Sequence, residues 1–182
     1  MRGEHIYLRA LEARDAQDLL DLRVRNHNFL QPFEPIRDAN YLTLEWQLQD
    51  IENHQHGADT DTSHAFGIFL NETDELIGRI AITGISRGPA QHANIGYLLA
   101  ESQNGKGYMT EAVKMCVSFA FNVLHLHRIQ AGVMPRNLRS GRVLEKTGFR
   151  PEGLAKRYIR INGVWEDHIL FAITTEDLEG QA

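Results

Sequence analysis

Asn104-Gly105-Lys106-Gly107-Tyr108-Met109 is the stretch whose residue types and spacing offer chemistry. A short apolar run, 95–99, precedes it and reads as a buried strand. After it, Met109, Ala112, Val113, Cys116, Val117, Ala120, Phe121 and Leu124 repeat at i, i+3, i+4, i+7. That period predicts an amphipathic helix docked on a core. Strand, glycine turn and helix in succession put several backbone N–H groups at a helix N-terminus. Unpaired donors and the helix dipole attract an anion there, and glycine lets a phosphate approach the backbone. The anion expected is the pyrophosphate of a cofactor. A plain tight turn fits the same residues. Two phosphate motifs are excluded by spacing: Gly107 follows Gly105-Lys106 where a P-loop needs Ser or Thr, and Thr110 replaces the third glycine of the dinucleotide fingerprint.

Other reactive side chains carry less. Cys116 lies on the apolar stripe of the helix and reads as a core residue, not a nucleophile. His54-x-His56 and His125-x-His127 have ligand-like spacing, but no cysteine or carboxylate cluster completes either, so no metal is expected. His168, beside Trp165 and Asp167 in the last strand, reads either as a pocket residue or as a hydrogen-bonded sheet histidine.

The 182 residues are most economically one domain, 1–182, with enough chain for a core without disulfides. With no apolar signal segment and no run of 18 apolar residues, a cytoplasmic protein without membrane partners is expected. A net charge of -5 argues against general nucleic-acid binding and mildly suits a cationic partner.

The elements that must position these residues follow from pattern. Strands are predicted at 5–9, 65–70, 76–85, 95–99, 128–133, 153–161 and 164–173. Helices are predicted at 15–25, from 41 to about 54, from 109 to 124, and at 136–147 with Asn137 as N-cap and Gly148 as the stop. Residues 57–62 read as a polar loop, and Asn162-Gly163 is a strong hairpin signal. Pro32 and Pro35 interrupt any helix through Phe29-Leu30-Gln31-Pro32-Phe33-Glu34-Pro35, which becomes either a pocket wall or a corner between helices. The order β-α-α-β-β-β-α-β-α-β-β predicts an α/β (α+β) fold, a mixed sheet covered by helices.

Four pieces in order now carry a resemblance: Ile95-Gly96-Tyr97-Leu98, Gly105-Lys106-Gly107-Tyr108-Met109-Thr110-Glu111-Ala112, Asn137-Leu138-Arg139-Ser140 and Glu145-Lys146-Thr147-Gly148-Phe149. Together they resemble the GNAT superfamily of acetyl-CoA-dependent N-acetyltransferases. Phe29-Leu30-x-Pro32-Phe33-x-Pro35 and Asn162-Gly163-x-Trp165-x-Asp167-His168 are similar to its ribosomal-protein-alanine N-acetyltransferase branch. The resemblance implies a mostly antiparallel sheet splayed at the fourth strand and flanked by about four helices. It implies acetyl-CoA held by Asn104, Gly105, Lys106, Gly107, Tyr108, Met109 and Thr110 around the pyrophosphate. Tyr97, Leu98 and Leu99 would offer free backbone to the thioester arm, and Asn137 would bond that arm. Ser140 would be the catalytic acid at the sulfur, with Phe33, Glu34, Trp165 and His168 around the acceptor amine. Asn137 and Ser140 are also explained as helix cap and first-turn residue.

Three departures from the family pattern bear on catalysis. Asn104 replaces the usual Gln or Arg, Leu144 stands where the family's acidic Tyr stands, and Ile159 where some relatives carry a Glu base. At pH 7, neutralising an α-amine costs roughly 1 kcal/mol and a lysine roughly 4.6. A site without an evident base therefore suits an α-amine, unless a backbone carbonyl, a water, or Glu34, Glu111 or Asp167 serves. The expected acceptor is a protein N-terminal amine, ribosomal or other, on a monomer or homodimer. A small-molecule amine (polyamine, amino acid or antibiotic) and a non-catalytic acyl-CoA-binding module are the alternatives.

Overall fold

A computed structural model describes residues 1–179, so the last three residues of the expected 1–182 domain lie outside the described residues. Its elements run β1 (Ile6–Arg9), α1 (Ala16–Leu30), α2 (Leu44–Asp59), β2 (Ser63–Leu70), β3 (Leu76–Ser86), β4 (His92–Leu99) and α3 (Tyr108–Asn122). They continue with β5 (Arg128–Val133), α4 (Leu138–Lys146), β6 (Arg150–Ile161), β7 (Val164–Thr174) and a short α5 (Thr175–Glu179). Apart from α5, the order is the one the sequence predicts.

The strands form one seven-stranded sheet in the order β1-β2-β3-β4-β5-β7-β6. Every pair is antiparallel except β4–β5, which run parallel and pair only through His92–Arg128, Ala93–Ile129 and Asn94–Gln130. Beyond Asn94, β4 stays bonded to β3 as far as Leu99 while β5 follows β7 to Val133. The two central strands therefore part, and the sheet opens as a V.

Each face of the sheet is covered by helices. Residues Met109, Ala112, Val113, Cys116, Val117, Ala120 and Phe121 of α3 are buried against Ile68, Ile80, Ile82 and Ile129. On the other face, Leu19 and Leu22 of α1 and Ile51 of α2 pack on Phe69 and Leu76. Neighbours Ile68 and Phe69 serve opposite faces because side chains alternate along a strand. Cys116 is buried in the first of these cores, and burial pushes its thiol up to about 12, so it is an inert packing residue.

Of the boundaries that differ from expectation, β4 and β6 each start three residues earlier, at His92 and Arg150, and three in the helices have a clear cause. First, α1 runs on to Leu30 and into a 3-10 turn, Gln31–Phe33, because Pro32 sits in the first turn of that segment, where its missing N–H costs nothing. Second, α2 starts after Thr43, whose hydroxyl accepts from the Trp46 N–H at 3.3 Å. Third, it continues through Gly57, which the sequence assigns to a loop. Gly57 is buried, and a Cβ there would stand 2.1 Å from the Ser63 hydroxyl, so this glycine marks a close approach of helix and strand.

Between α2 and the sheet, Asp50 pairs with Arg79 and lies 3.6 Å from His54. Burial alone would push the Asp50 carboxyl up, but hydrogen bonds from His54 and the charge and hydrogen bond of Arg79 outweigh it and hold it at about 2. Asp50→Asn, which leaves the 8% exposed Arg79 without a counter-ion, is expected to cost about 3 kcal/mol of unfolding free energy at pH 7. A group depressed from 3.8 to about 2 stabilises above the former value and loses its effect as the pH falls through the latter. Urea titrations of both proteins should therefore differ at pH 7 and converge near pH 2; a difference under 0.5 kcal/mol at pH 7, by that same estimate of about 3, would remove the pair from the stability account.

Candidate functional site

The V between β4 and β5 is the floor of a cavity of about 680 Å³. Ile95 to Leu99 line one side of it, Ala131 to Met134 the other, and Asn137, Ser140 and Val143 of the α4 region close one end. Phe29, Phe33 and Glu34 line the cavity too, with the Arg139 guanidinium of α4 5.7 Å from the Phe29 ring centroid. The proline segment is therefore a wall and a corner at once. It is tied down across the fold: Arg136 donates to the Pro32 carbonyl at 3.1 Å, and the Asn162 N–H donates to the Glu34 carbonyl at 3.0 Å.

At the far end of β4, Gly105 and Gly107 adopt φ of 81° and 88°, left-handed values that favour glycine. Gly107 is the N-cap of α3, and a Cβ on either glycine would meet open space. No described protein group accepts a hydrogen bond from the N–H groups of Gly105, Lys106, Gly107, Tyr108, Met109 or Thr110; the helix ladder begins with Glu111 donating to Gly107. Six free donors in a row at a helix start, with nothing in front of the glycines, fit a diphosphate. Asn104 spends its amide inside the turn, donating to the carbonyls of Ala100 and Glu101 at 2.9 and 3.2 Å. Asn26 of α1, which the sequence reading passed over, anchors the same turn by accepting the Glu101 N–H at 2.8 Å.

Asn137 caps α4 by accepting the Ser140 N–H at 3.2 Å, so its expected cap role is real and leaves its remaining polar atoms at the cavity wall. The Ser140 and Tyr97 hydroxyls are 2.9 Å apart, and Tyr97 also lies 3.3 Å from the Ser140 carbonyl. Burial pushes the Tyr97 phenol up to about 12, partly offset by Ser140. It therefore stays protonated at neutral pH. The sequence reading used only the backbone at Tyr97; this side-chain pair joins residues 43 apart in the chain and left no local signal.

The expected acceptor residues separate. Phe33, Glu34 and His168 line the cavity with Leu98, Asn104 and Met109. Trp165, 60% exposed on the hairpin β6–β7, is outside its wall. The three acids also sort themselves. Glu111 accepts from the His5 N–H at 3.1 Å, and Asp167 accepts from the Arg157 N–H at 2.8 Å, both away from the cavity. Glu34 remains, 3.9 Å from Arg23. Leu144 is fully buried in the core, and Ile159 sits on the edge strand β6; neither touches the cavity. Among the described residues, no group of three or more His, Cys, Asp or Glu side chains could hold a metal ion, and no helix is long and apolar enough to cross a membrane.

Comparison with known proteins agrees with this geometry. A family model described as an acetyltransferase (GNAT) domain matches residues 5–150. The chain is 49% identical over 179 residues to "Probable N-acetyltransferase YjcK" of Bacillus subtilis (strain 168), covering 98% of this chain and 99% of that protein. It is 36% identical over 178 residues to the ribosomal protein uS5-alanine N-acetyltransferase of Escherichia coli (strain K12), covering 96% of this chain and 90% of that one. The solved structure of Mycobacterium smegmatis RimJ in complex with CoA-disulfide aligns with a TM-score of 0.91 at 35% identity, over 95% of this chain and 83% of the other.

Proposed function

This chain belongs to the GNAT family of acetyl-CoA-dependent N-acetyltransferases, and we propose that its acceptor is the α-amine of a protein N-terminus, of the ribosomal-protein-alanine kind. The observation that carries this reading is the likeness, along nearly the whole of both chains, to an enzyme named for that acceptor.

In this reading the N–H groups from Gly105 to Thr110 bind the pyrophosphate. The free edge of β4 in the V, with Asn137 and Ser140, would hold the thioester-bearing arm. The amine enters between Phe33, Glu34 and His168 and attacks the thioester carbonyl at close range. A backbone N–H on the unpaired part of β4 takes the oxyanion. Ser140 protonates the departing sulfur. Trp165, outside the cavity wall with the exposed Ile36 and Val164, offers apolar surface for residues following the acceptor terminus.

Peptides beginning with alanine should be acetylated at least ten-fold faster, in kcat/KM, than peptides with a blocked terminus and one internal lysine. The difference in deprotonation cost, roughly 3.6 kcal/mol at pH 7, sets the direction. Coupled assay of CoA release measures it, and equal or reversed rates would send the acceptor back to a lysine or a small amine.

A further inference from the structure

Resting on acetyl transfer to an α-amine as read above, we propose that His168 is the general base, taking the amine proton through Nε2 directly or across one water. No side chain of the usual kind stands where this family's acid or base would be sought, since Leu144 is core and Ile159 is on the outer edge. His168 is 3% exposed and lines the cavity next to Gly132, and Glu34 lines the same cavity. Its Nδ1 lies 3.0 Å from the Glu166 carbonyl, which can only accept, so Nδ1 carries the proton. Nε2 is then the bare, basic nitrogen, since the ring's hydrogen bond to the described protein groups runs through Nδ1.

Three features hold the ring in place. Gly132 of β5 has no side chain just where the V has opened; its Cβ would lie 3.5 Å from the His168 ring and 3.4 Å from Tyr158. Tyr158 meets the imidazole edge-on, with centroids 5.7 Å apart. Tyr158 is turned there by a bulge in β6 between Ala155 and Ile159, in which Arg157 has φ of 51° and its N–H is caught by the Asp167 carboxylate. The Asp167-His168 pair thus divides its labour on opposite faces of β7: one residue fixes the bulge, the other faces the cavity. Tyr158 of β6 meets the imidazole, Glu166, bound to Arg136 at 2.7 Å, accepts from it through its carbonyl, and Glu34, Arg136, Arg139 and Arg142 line the same cavity.

The proton count closes. An ammonium terminus gives one proton to Nε2, which passes it to solvent. The neutral nitrogen forms the C–N bond, the carbonyl π pair moves to oxygen, and collapse breaks the C–S bond. The thiolate takes a proton from Ser140, which is replenished from the N–H of the intermediate.

His168→Asn keeps a donor for the Glu166 carbonyl and removes Nε2. On an alanine-terminated peptide, kcat should fall about 100-fold with the KM for acetyl-CoA unchanged. Free imidazole should restore at least part of the turnover of His168→Ala, which a merely structural histidine would not permit. Nitrogen-15 NMR of the wild type should find Nδ1 protonated and Nε2 bare, independently of how the variants fold. A wild type that is active while His168→Asn keeps its kcat within three-fold, no rescue, or an Nε2–H tautomer overturns the role of His168 alone. So does a collapse of turnover in Glu34→Gln with His168→Asn unaffected. A wild type that binds acetyl-CoA but releases no CoA to any α-amine overturns the acceptor reading as well.

Discussion

In a Gly107→Val variant that still unfolds cooperatively, acetyl-CoA binding measured by calorimetry is expected to weaken at least 100-fold, a loss of about 2.7 kcal/mol. Two effects combine. A β-branched residue at φ of 88° is strained, by about 1 to 2 kcal/mol, which tends to rotate the turn and scatter its N–H groups. The new side chain would also point into the open space before α3 that the diphosphate needs. Because no protein atom lies within 4 Å of that Cβ, packing is not what suffers. Gly105→Val, with φ of 81°, should behave in the same direction. Binding within three-fold of wild type in both variants would remove the diphosphate from this turn and the rest of the site assignment with it.

Ser140→Ala is the second large effect. Expulsion of a thiolate from a tetrahedral intermediate is helped by a proton at the sulfur, and general acids of this kind contribute about 100-fold or more. A fall of that size in kcat is expected, with acetyl-CoA binding preserved, since the backbone N–H of residue 140 still meets the Asn137 cap. Tyr97→Phe should reproduce part of the loss, because the phenol 2.9 Å away is the group that orients the serine hydroxyl. The double variant should then fall no further than Ser140→Ala, as expected for residues acting as one unit. If Ser140→Ala loses less than three-fold in single-turnover experiments, the sulfur takes its proton elsewhere.

How far the site was legible depends on how local each feature is. The α3 stripe, the glycine turn, the Asn137 cap and the Asn162-Gly163 turn are each written within a few consecutive residues, and the structure has them where the pattern puts them. The proline segment with Phe33 and Glu34 reads as a pocket wall or a corner, and His168 as a pocket or sheet residue; all three residues reach one cavity. Trp165 shares their motif, yet alternation along β7 and its place near the hairpin tip keep it outside. Asp167, read as a possible base, turned out to belong to a β-bulge. Nothing in a one-dimensional pattern separates those two fates, since bulges depend on the partner strand.

By itself the chain's order of residues determined the succession of elements, the turn that can hold an anion and the α3 face that must be buried, because period, glycine and capping act over distances of one or two helical turns. Only the tertiary structure decided that β4 and β5 part after Asn94, that the Tyr97 and Ser140 hydroxyls meet, and that His168 stands over Gly132 with one nitrogen tied. Those are juxtapositions across strand register and sheet order, in which a shift of one residue would send every side chain to the opposite face.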